Sequence, residues 1–594
     1  MSFVRAFVRR GCCTAAILSF IVPALSAHAA DKKTKDAATE TPSYYGPQPA
    51  TENLDLTMYA RIREEGFEHS HAMELAAALT DGIGPRLTGS PNMAKANAWT
   101  RDTLTKLGLE NAHLEDWGEF GLGWQQINTW ARMISPDPEP LWMEASPWSP
   151  ATKGSISGEI VYVPLTDEKD LDKLKGTLAG KIVLLGTMRA TPDLTLPLST
   201  RYTDQELKEI ENSEGGPQLV ATPSPATLER RRLFALKQKA VAMMTTEGVA
   251  AIITPSRDGR DGGGTGIIFD DNGADLVRGA QKPENAVKIP NGVMMIEHYN
   301  RLARMSLAHV PVTVELNIET KFTGEHEHGF NTVAEIPGTD PKLKDEIVMV
   351  GGHLDSWIAG TGATDNGAGA IAAMEAVRIL KALDVHPRRT IRIALWSGEE
   401  EGEFGSDGYV KQHFGDFAPP ATPDPPNTPG FMSHHGALHT TKDWEKLDAY
   451  YNLDNGAGKI RGVYAQSNFA VMPIFKQWIA PLSDIFVTVV TPRDTGSTDH
   501  EPFDHVGLAG FEFLQDPLDY ETRSHHSNMD TYDRLHAFDL EQAAVVEAIF
   551  LYNTSERDAM LPRKPFPHPE KEKELTAPIP GIYPNAAPPE PAAK

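Results

Sequence analysis

Beyond its first thirty residues the chain has no cysteine. Its two cysteines, Cys12 and Cys13, sit together near the N-terminus. That excludes disulfide staples and thiol catalysis from whatever remains once a leader is removed. Both also precede the nearby apolar run, the wrong side for lipid attachment. Positive charge is scarce as well: 56 Lys and Arg stand against 81 Asp and Glu, a net charge of −25. Such a surface repels nucleic acid and anionic membranes, so neither is an expected partner. The apolar run at residues 14–25 is too short to span a bilayer. No solenoid-type repeat recurs. The glycine run at 261–266 lacks Walker spacing and the Lys-Ser/Thr ending, which excludes a phosphate cradle and leaves a loop.

What is present suggests an exported protein of two or three domains. The chain has 594 residues, 40% of them hydrophobic, ample for a sizeable core. Residues 1–30 read as a signal peptide. Arg5, Arg9 and Arg10 precede the apolar run, and Ala27-His28-Ala29 is a small-residue cleavage site. The expected address is periplasmic or secreted. Residues 31–51 read as a linker and 52–135 as the first part of the main domain. Composition changes near Pro136, and 136–325 holds short strand-like runs at 156–164, 181–186, 250–254 and 312–318, separated by Gly and Pro. Residues 204–239 read as a solvated, partly helical surface. Residues 326–560 return to the main domain, and 561–594 form a proline-rich tail. His434, His435 and His439 follow the proline-rich loop at 419–429 and read as exposed.

The chemistry concentrates in residues 346–406. Two short apolar runs, 347–350 and 391–395, read as buried strands. Residues 369–383, rich in Ala, Ile, Met and Leu, read as a helix between them. That is a β-α-β unit with parallel strands, hence an α/β fold. His353 and Asp355 follow the first strand, Asp365 opens the helix, and Glu399 and Glu400 follow the second strand. Ligands in open α/β sheets collect at that edge. Imidazole and carboxylate together suit zinc. Asp355 is placed to accept the other ring N–H of His353. Asp365, in a glycine-rich turn, is placed to bridge two metals. Of Glu399 and Glu400, one suits a metal and the other a general base.

These residues resemble the di-zinc aminopeptidase and glutamate carboxypeptidase family, plasma glutamate carboxypeptidase among its members. The matching motifs are His353-Leu-Asp355, Asp365-Asn-Gly-Ala-Gly369 and Trp396-Ser-Gly-Glu399-Glu400-Glu-Gly402-Glu-Phe-Gly405-Ser406. The resemblance runs from about Glu52 to Ser555. It implies a mixed, mainly parallel sheet with helices on both faces. It also implies that residues 136–325 are an inserted, β-rich protease-associated domain. It adds Asp454, from a strand ending Tyr450-Tyr-Asn-Leu-Asp-Asn455, and His526, four residues before Asp530. In that register His525 stands where many relatives carry Tyr, and Thr498-Asp499-His500 with Phe503 lies near the substrate pocket.

The function so implied is zinc-dependent exopeptidase action on peptides, of aminopeptidase type. His353 and Asp454 would hold one Zn²⁺, Glu400 and His526 a second, and Asp365 would bridge them, with a cis peptide after it. Glu399 would be the general base and His525 a helper at the oxyanion. A carboxypeptidase or dipeptidase of the same family is the alternative. A receptor without metal and a single-zinc glutaminyl cyclase stand further off, because all five metal positions and the base are present. Glu401 or Glu403 would suit a substrate ammonium, and Arg493 or Arg523 a substrate carboxylate. The expected partner is a peptide substrate, with no membrane contact after leader removal; a homodimer is left open.

Overall fold

The structure, a computed structural model, describes residues 48–190, 195–215, 225–257, 264–269, 276–277, 279–420 and 435–567. The expected leader, most of the linker, the end of the tail, the core of the 419–429 loop and His434 lie outside the described residues.

One sheet of fourteen strands runs through the described chain. At its centre lie four parallel strands, in the order Thr390–Trp396, Ile347–His353, Leu447–Asn452 and Gly510–Gln515. Their near-continuous apolar runs are what strands covered on both faces require. Val348, Val350, Ile391, Ile393 and Tyr451 share a core with the helices Ala368–Ala382, Ala537–Glu556, Leu56–Glu68 and Ala72–Thr80. Met349, Ala394, Trp396 and Tyr450 belong to a second core, with Tyr409, Phe414 and Phe503. The observed class is therefore the expected one, a mainly parallel α/β sheet with helices on both faces. The spacing of residues 54–80 reads as helical from sequence; the structure has two helices there, because the chain breaks at Ser70, whose hydroxyl accepts the Ala72 amide.

An antiparallel ribbon of two long strands, Glu110–Ser135 and Thr313–Ile336, leaves the central sheet beside Thr390–Trp396. It leads into a second group of strands with cores of their own. Ile156–Val163, Ile182–Leu185, Ala251–Pro255 and Asn291–Met294 run parallel there. Parallel neighbours need crossovers. The stretch expected to be an insert accordingly contains the helices Pro225–Glu247 and Ile296–Leu307 as well as strands. Its far boundary, expected at 325, falls inside the unbroken Thr313–Ile336 strand.

Candidate metal centre

The parallel strands deliver their C-terminal ends to one place. His353 ends its strand, Asp454 lies two residues past Asn452, and Glu399 and Glu400 follow Trp396. Asp365 sits in the turn before the helix Ala368–Ala382, and its peptide with Asn366 is cis. Asn366 joins the turn to the next strand end, donating to the Leu453 carbonyl at 2.8 Å and accepting the Gly369 amide at 2.9 Å. Gly369 is obligatory there: a Cβ would lie 2.0 Å from the Leu453 carbonyl oxygen. His525 and His526 come from the loop after residues 520–524.

Asp365 stands between two imidazoles. Its Oδ1 is 3.4 Å from His353 Nε2, and its Oδ2 is 3.2 Å from His526 Nε2. Asp454 Oδ1 reaches His353 Nε2 at 3.3 Å, and Glu400 Oε2 reaches His526 Nε2 at 3.0 Å. Glu399 Oε2 lies 3.9 Å from His353 Nε2. His525 Nε2 is 3.7 Å from Asp365 Oδ2. All three groups of candidate metal-holding residues among the described residues are drawn from this set. His353 Nδ1 departs from expectation. It lies 3.1 Å from the main-chain carbonyl of Asp355, while the Asp355 carboxylate is 3.7 Å away. That carboxylate instead accepts the Thr88 hydroxyl at 3.1 Å and the Glu399 and Glu400 amides at 3.4 and 3.3 Å. It therefore fixes the turn bearing both glutamates.

The electrostatics call for a cation. Burial pushes the Glu400 carboxyl up to about 7, with Asp365 adding to it and His526 opposing. Glu399 is raised well above the usual range by burial and by Asp454, Asp499 and Glu400, against the pull of His353. Burial disfavours a charged His353, yet Asp454 and Glu399 outweigh it and raise its pKa well above the ordinary value. Asp365 is also opposed by burial, but the three histidines hold it low. Its Oδ2, and Oε1 of Glu400, are buried without a hydrogen bond. Buried carboxylates crowded this way are costly unless positive charge joins them. The donor set, imidazole nitrogen and carboxylate oxygen, fits zinc.

Three further residues support the site from a distance. Arg86 is fully buried and donates to the carbonyls of Leu354, Thr361 and Gly362 at 2.6, 2.7 and 2.8 Å, tying the His353 and Asp365 segments together. Asp530 accepts the Thr364 and Asp365 amides at 2.6 and 3.1 Å. Glu512 accepts the Asp454 amide at 2.8 Å. Arg86 stands in the turn-rich stretch 81–90 and Asp530 sets the His526 register, but Glu512 has no sequence signal. Of the residues expected nearby, Asp499 is buried and contributes to the charge around Glu399. His500 and Phe503 stay outside the ligand cluster: His500 contacts Gln466 and the Thr495 carbonyl and lies 3.6 Å from the Glu512 carboxylate, and Phe503 stacks on Tyr450. Arg523 donates to the Thr265 carbonyl. His435 lies against Phe417, and His439 is exposed in the short strand Leu438–Thr440.

Imidazoles and carboxylates gathered at the C-terminal edge of a parallel sheet make a candidate metal centre. Residues 331–550 match the model of Peptidase family M28, so the chain carries an M28 peptidase domain and is a metallopeptidase. It is similar to Carboxypeptidase Q of Mus musculus, 27% identical over 86% of this chain and 90% of that one. It is also similar to an Aminopeptidase of Pseudomonas aeruginosa, 27% identical over 57% of this chain and 52% of the relative. The solved structure of a Peptidase M28 precursor from Shewanella amazonensis shares the fold. The TM-score is 0.58 at 22% identity, covering 86% of this chain and 98% of that one. No described helix is long and apolar enough to cross a membrane.

Proposed function

We propose that this protein is a di-zinc exopeptidase of aminopeptidase type, exported by its leader-like first thirty residues. The observation that carries the reading is the position of Asp365, with one carboxylate oxygen toward His353 and the other toward His526. His353 and Asp454 would hold one zinc, Glu400 and His526 the other, and Asp365 both. When bound, the two ions supply Lewis-acid polarisation of the scissile carbonyl and lower the pKa of a water.

The remaining chemistry belongs to the chain's own side chains. Glu399, close to His353 but outside the pairs just named, takes the proton of the attacking water on its carboxylate and gives it to the leaving amine. His525 offers a ring N–H to the developing oxyanion. Glu403 supports an aminopeptidase over an endopeptidase or carboxypeptidase. Burial, together with Glu501, Asp499, Asp407 and Asp454, pushes its carboxyl up to about 9. A substrate's free ammonium placed beside this half-buried carboxyl would return it to the ionised form and pair with it. Residues 136–325 are read as a protease-associated insert.

A second reading, a carboxypeptidase or dipeptidase, is favoured by the name Carboxypeptidase Q on relatives matched over most of their length. One assay separates the readings. Peptides with a free N-terminus and amidated C-terminus should be cleaved, and N-acetylated peptides with a free C-terminus should not. The opposite pattern makes the enzyme a carboxypeptidase. Chelation should abolish activity reversibly, with about two zinc ions per active chain by metal analysis; an active metal-free protein would end both readings.

A further inference from the structure

We propose that Arg257, from the inserted region, is a positioning residue for His526. The inference rests on the reading of His526 as a metal ligand. His526 adopts a left-handed backbone with φ +59°. A bulky side chain enters that region only at a cost, and such residues persist where their surroundings over-determine them. The local chain therefore does not supply this conformation cheaply, and the structure shows what holds it.

On the main-domain side, Asp530 accepts the amides of the Asp365 turn, and the Thr361 amide donates to the Asp530 carbonyl at 2.7 Å. The His525 amide also donates to the Tyr520 carbonyl at 2.9 Å, and the Trp357 ring lies edge-on to His526; the residues before position 325 add holds of their own. Arg257 Nη2 donates to the His525 carbonyl at 2.7 Å. That oxygen belongs to the peptide joining the two histidines. Turning this peptide is the motion that would carry His526 out of its left-handed conformation. The Arg257 guanidinium is itself set over the Phe269 ring, 4.5 Å from its centre. Phe269 pairs with Ser527, and its amide donates to the Ser256 hydroxyl at 2.9 Å. Asn528 and Ile268 exchange two hydrogen bonds, each 3.0 Å, one through the Asn528 side chain. Arg257 stands two residues past the strand Ala251–Pro255, which is buried along its whole length and paired on both sides. The anchor therefore sits close to a strand held on both sides. The insert builds one wall of the metal centre and fixes the angle at which His526 meets Asp365 and Glu400.

The test compares metal retention in four full-length variants dialysed against buffered zinc, with the spectrum of the cobalt-substituted protein as a second readout. Arg257→Ala should weaken one of two metal sites by about tenfold or more, the scale seen for supports of metal ligands. The other site should keep its affinity, and the cobalt spectrum should shift. Arg257→Lys retains a donor and should recover part of the loss. Arg232→Ala, in an exposed pair with Glu229 in the same insert, should bind both metals as wild type. If Arg257→Ala lowers only the melting temperature, with both metals held at wild-type affinity, its role is merely structural and the proposal falls. His526→Ala separates the two layers of inference. If it loses one metal while Arg257→Ala loses none, the positioning role alone is wrong. If it keeps both, the ligand reading is wrong, and the positioning role goes with it.

Discussion

Glu399 and Glu400 are neighbours with the same side chain and different surroundings. Glu400 meets His526 at 3.0 Å, whereas Glu399 lies 3.9 Å from His353. Glu399→Gln should cut turnover by about a hundredfold or more while metal content stays normal. Glu400→Gln should lose one metal. Turnover and metal stoichiometry measured on both decide it, and exchanged phenotypes would mean the roles are shifted by one residue. The two histidines pose the same problem. From sequence only the spacing to Asp530 separates them. In three dimensions His526 reaches Glu400 at 3.0 Å and Asp365 at 3.2 Å, whereas His525 lies 3.7 Å from Asp365 and against the His526 ring. His526→Ala should strip one zinc. His525→Ala should retain both and slow the chemical step by about 2.7–4 kcal/mol if its ring donates to the oxyanion. Equal metal loss in the two variants would show that both histidines ligate.

The β-α-β unit was legible because its signals are local: two apolar runs, a small-residue turn and an alanine-rich helix within about sixty residues. The supports were not legible, because each reaches across the chain. Arg86 works on carbonyls 268 to 276 residues away, and Glu512 on the amide of Asp454, 58 residues before it. Nothing in the neighbourhood of either announces such a partner. Asp355 was legible as an ally of His353 but not in its detail, since two residues apart leaves open whether carbonyl or carboxylate makes the bond. Gly369 shows how closely this element fits the next. A methyl there would sit 2.0 Å from the Leu453 carbonyl, next to Asp454. Gly369→Ala should cost about 1–3 kcal/mol, in the range of overpacking, and weaken metal retention with it. A urea midpoint equal to wild type would mean that helix and strand can separate without penalty.

At the scale of the whole molecule, the end of the sheet away from the metal centre ties the two ends of the described chain together. Arg557 donates to Glu52 at 2.9 Å and to Gln48 at 2.8 Å. Beside it, Asp448 Oδ1 accepts the Leu561 amide at 2.7 Å, and Oδ2 lies 3.3 Å from Arg389 Nε. Asp448 has no exposed surface, and burial pushes its carboxyl up to about 6, with Arg389 working against it. The unfolded chain releases this proton near 3.8, while the folded chain holds it to about 6. The folded state is therefore favoured by this group below about pH 4, and that contribution is lost as pH rises through 6. That difference corresponds to about 3 kcal/mol. Asp448→Asn cannot titrate and can still accept the Leu561 amide. The stability of wild type relative to Asp448→Asn should therefore fall between pH 4.5 and 7, by up to that amount, in urea unfolding followed at several pH values. A difference that stays flat between pH 4.5 and 7 would show that Arg389 keeps Asp448 ionised over that range; a rise with pH below about pH 4 would show in addition that the ion pair outweighs burial.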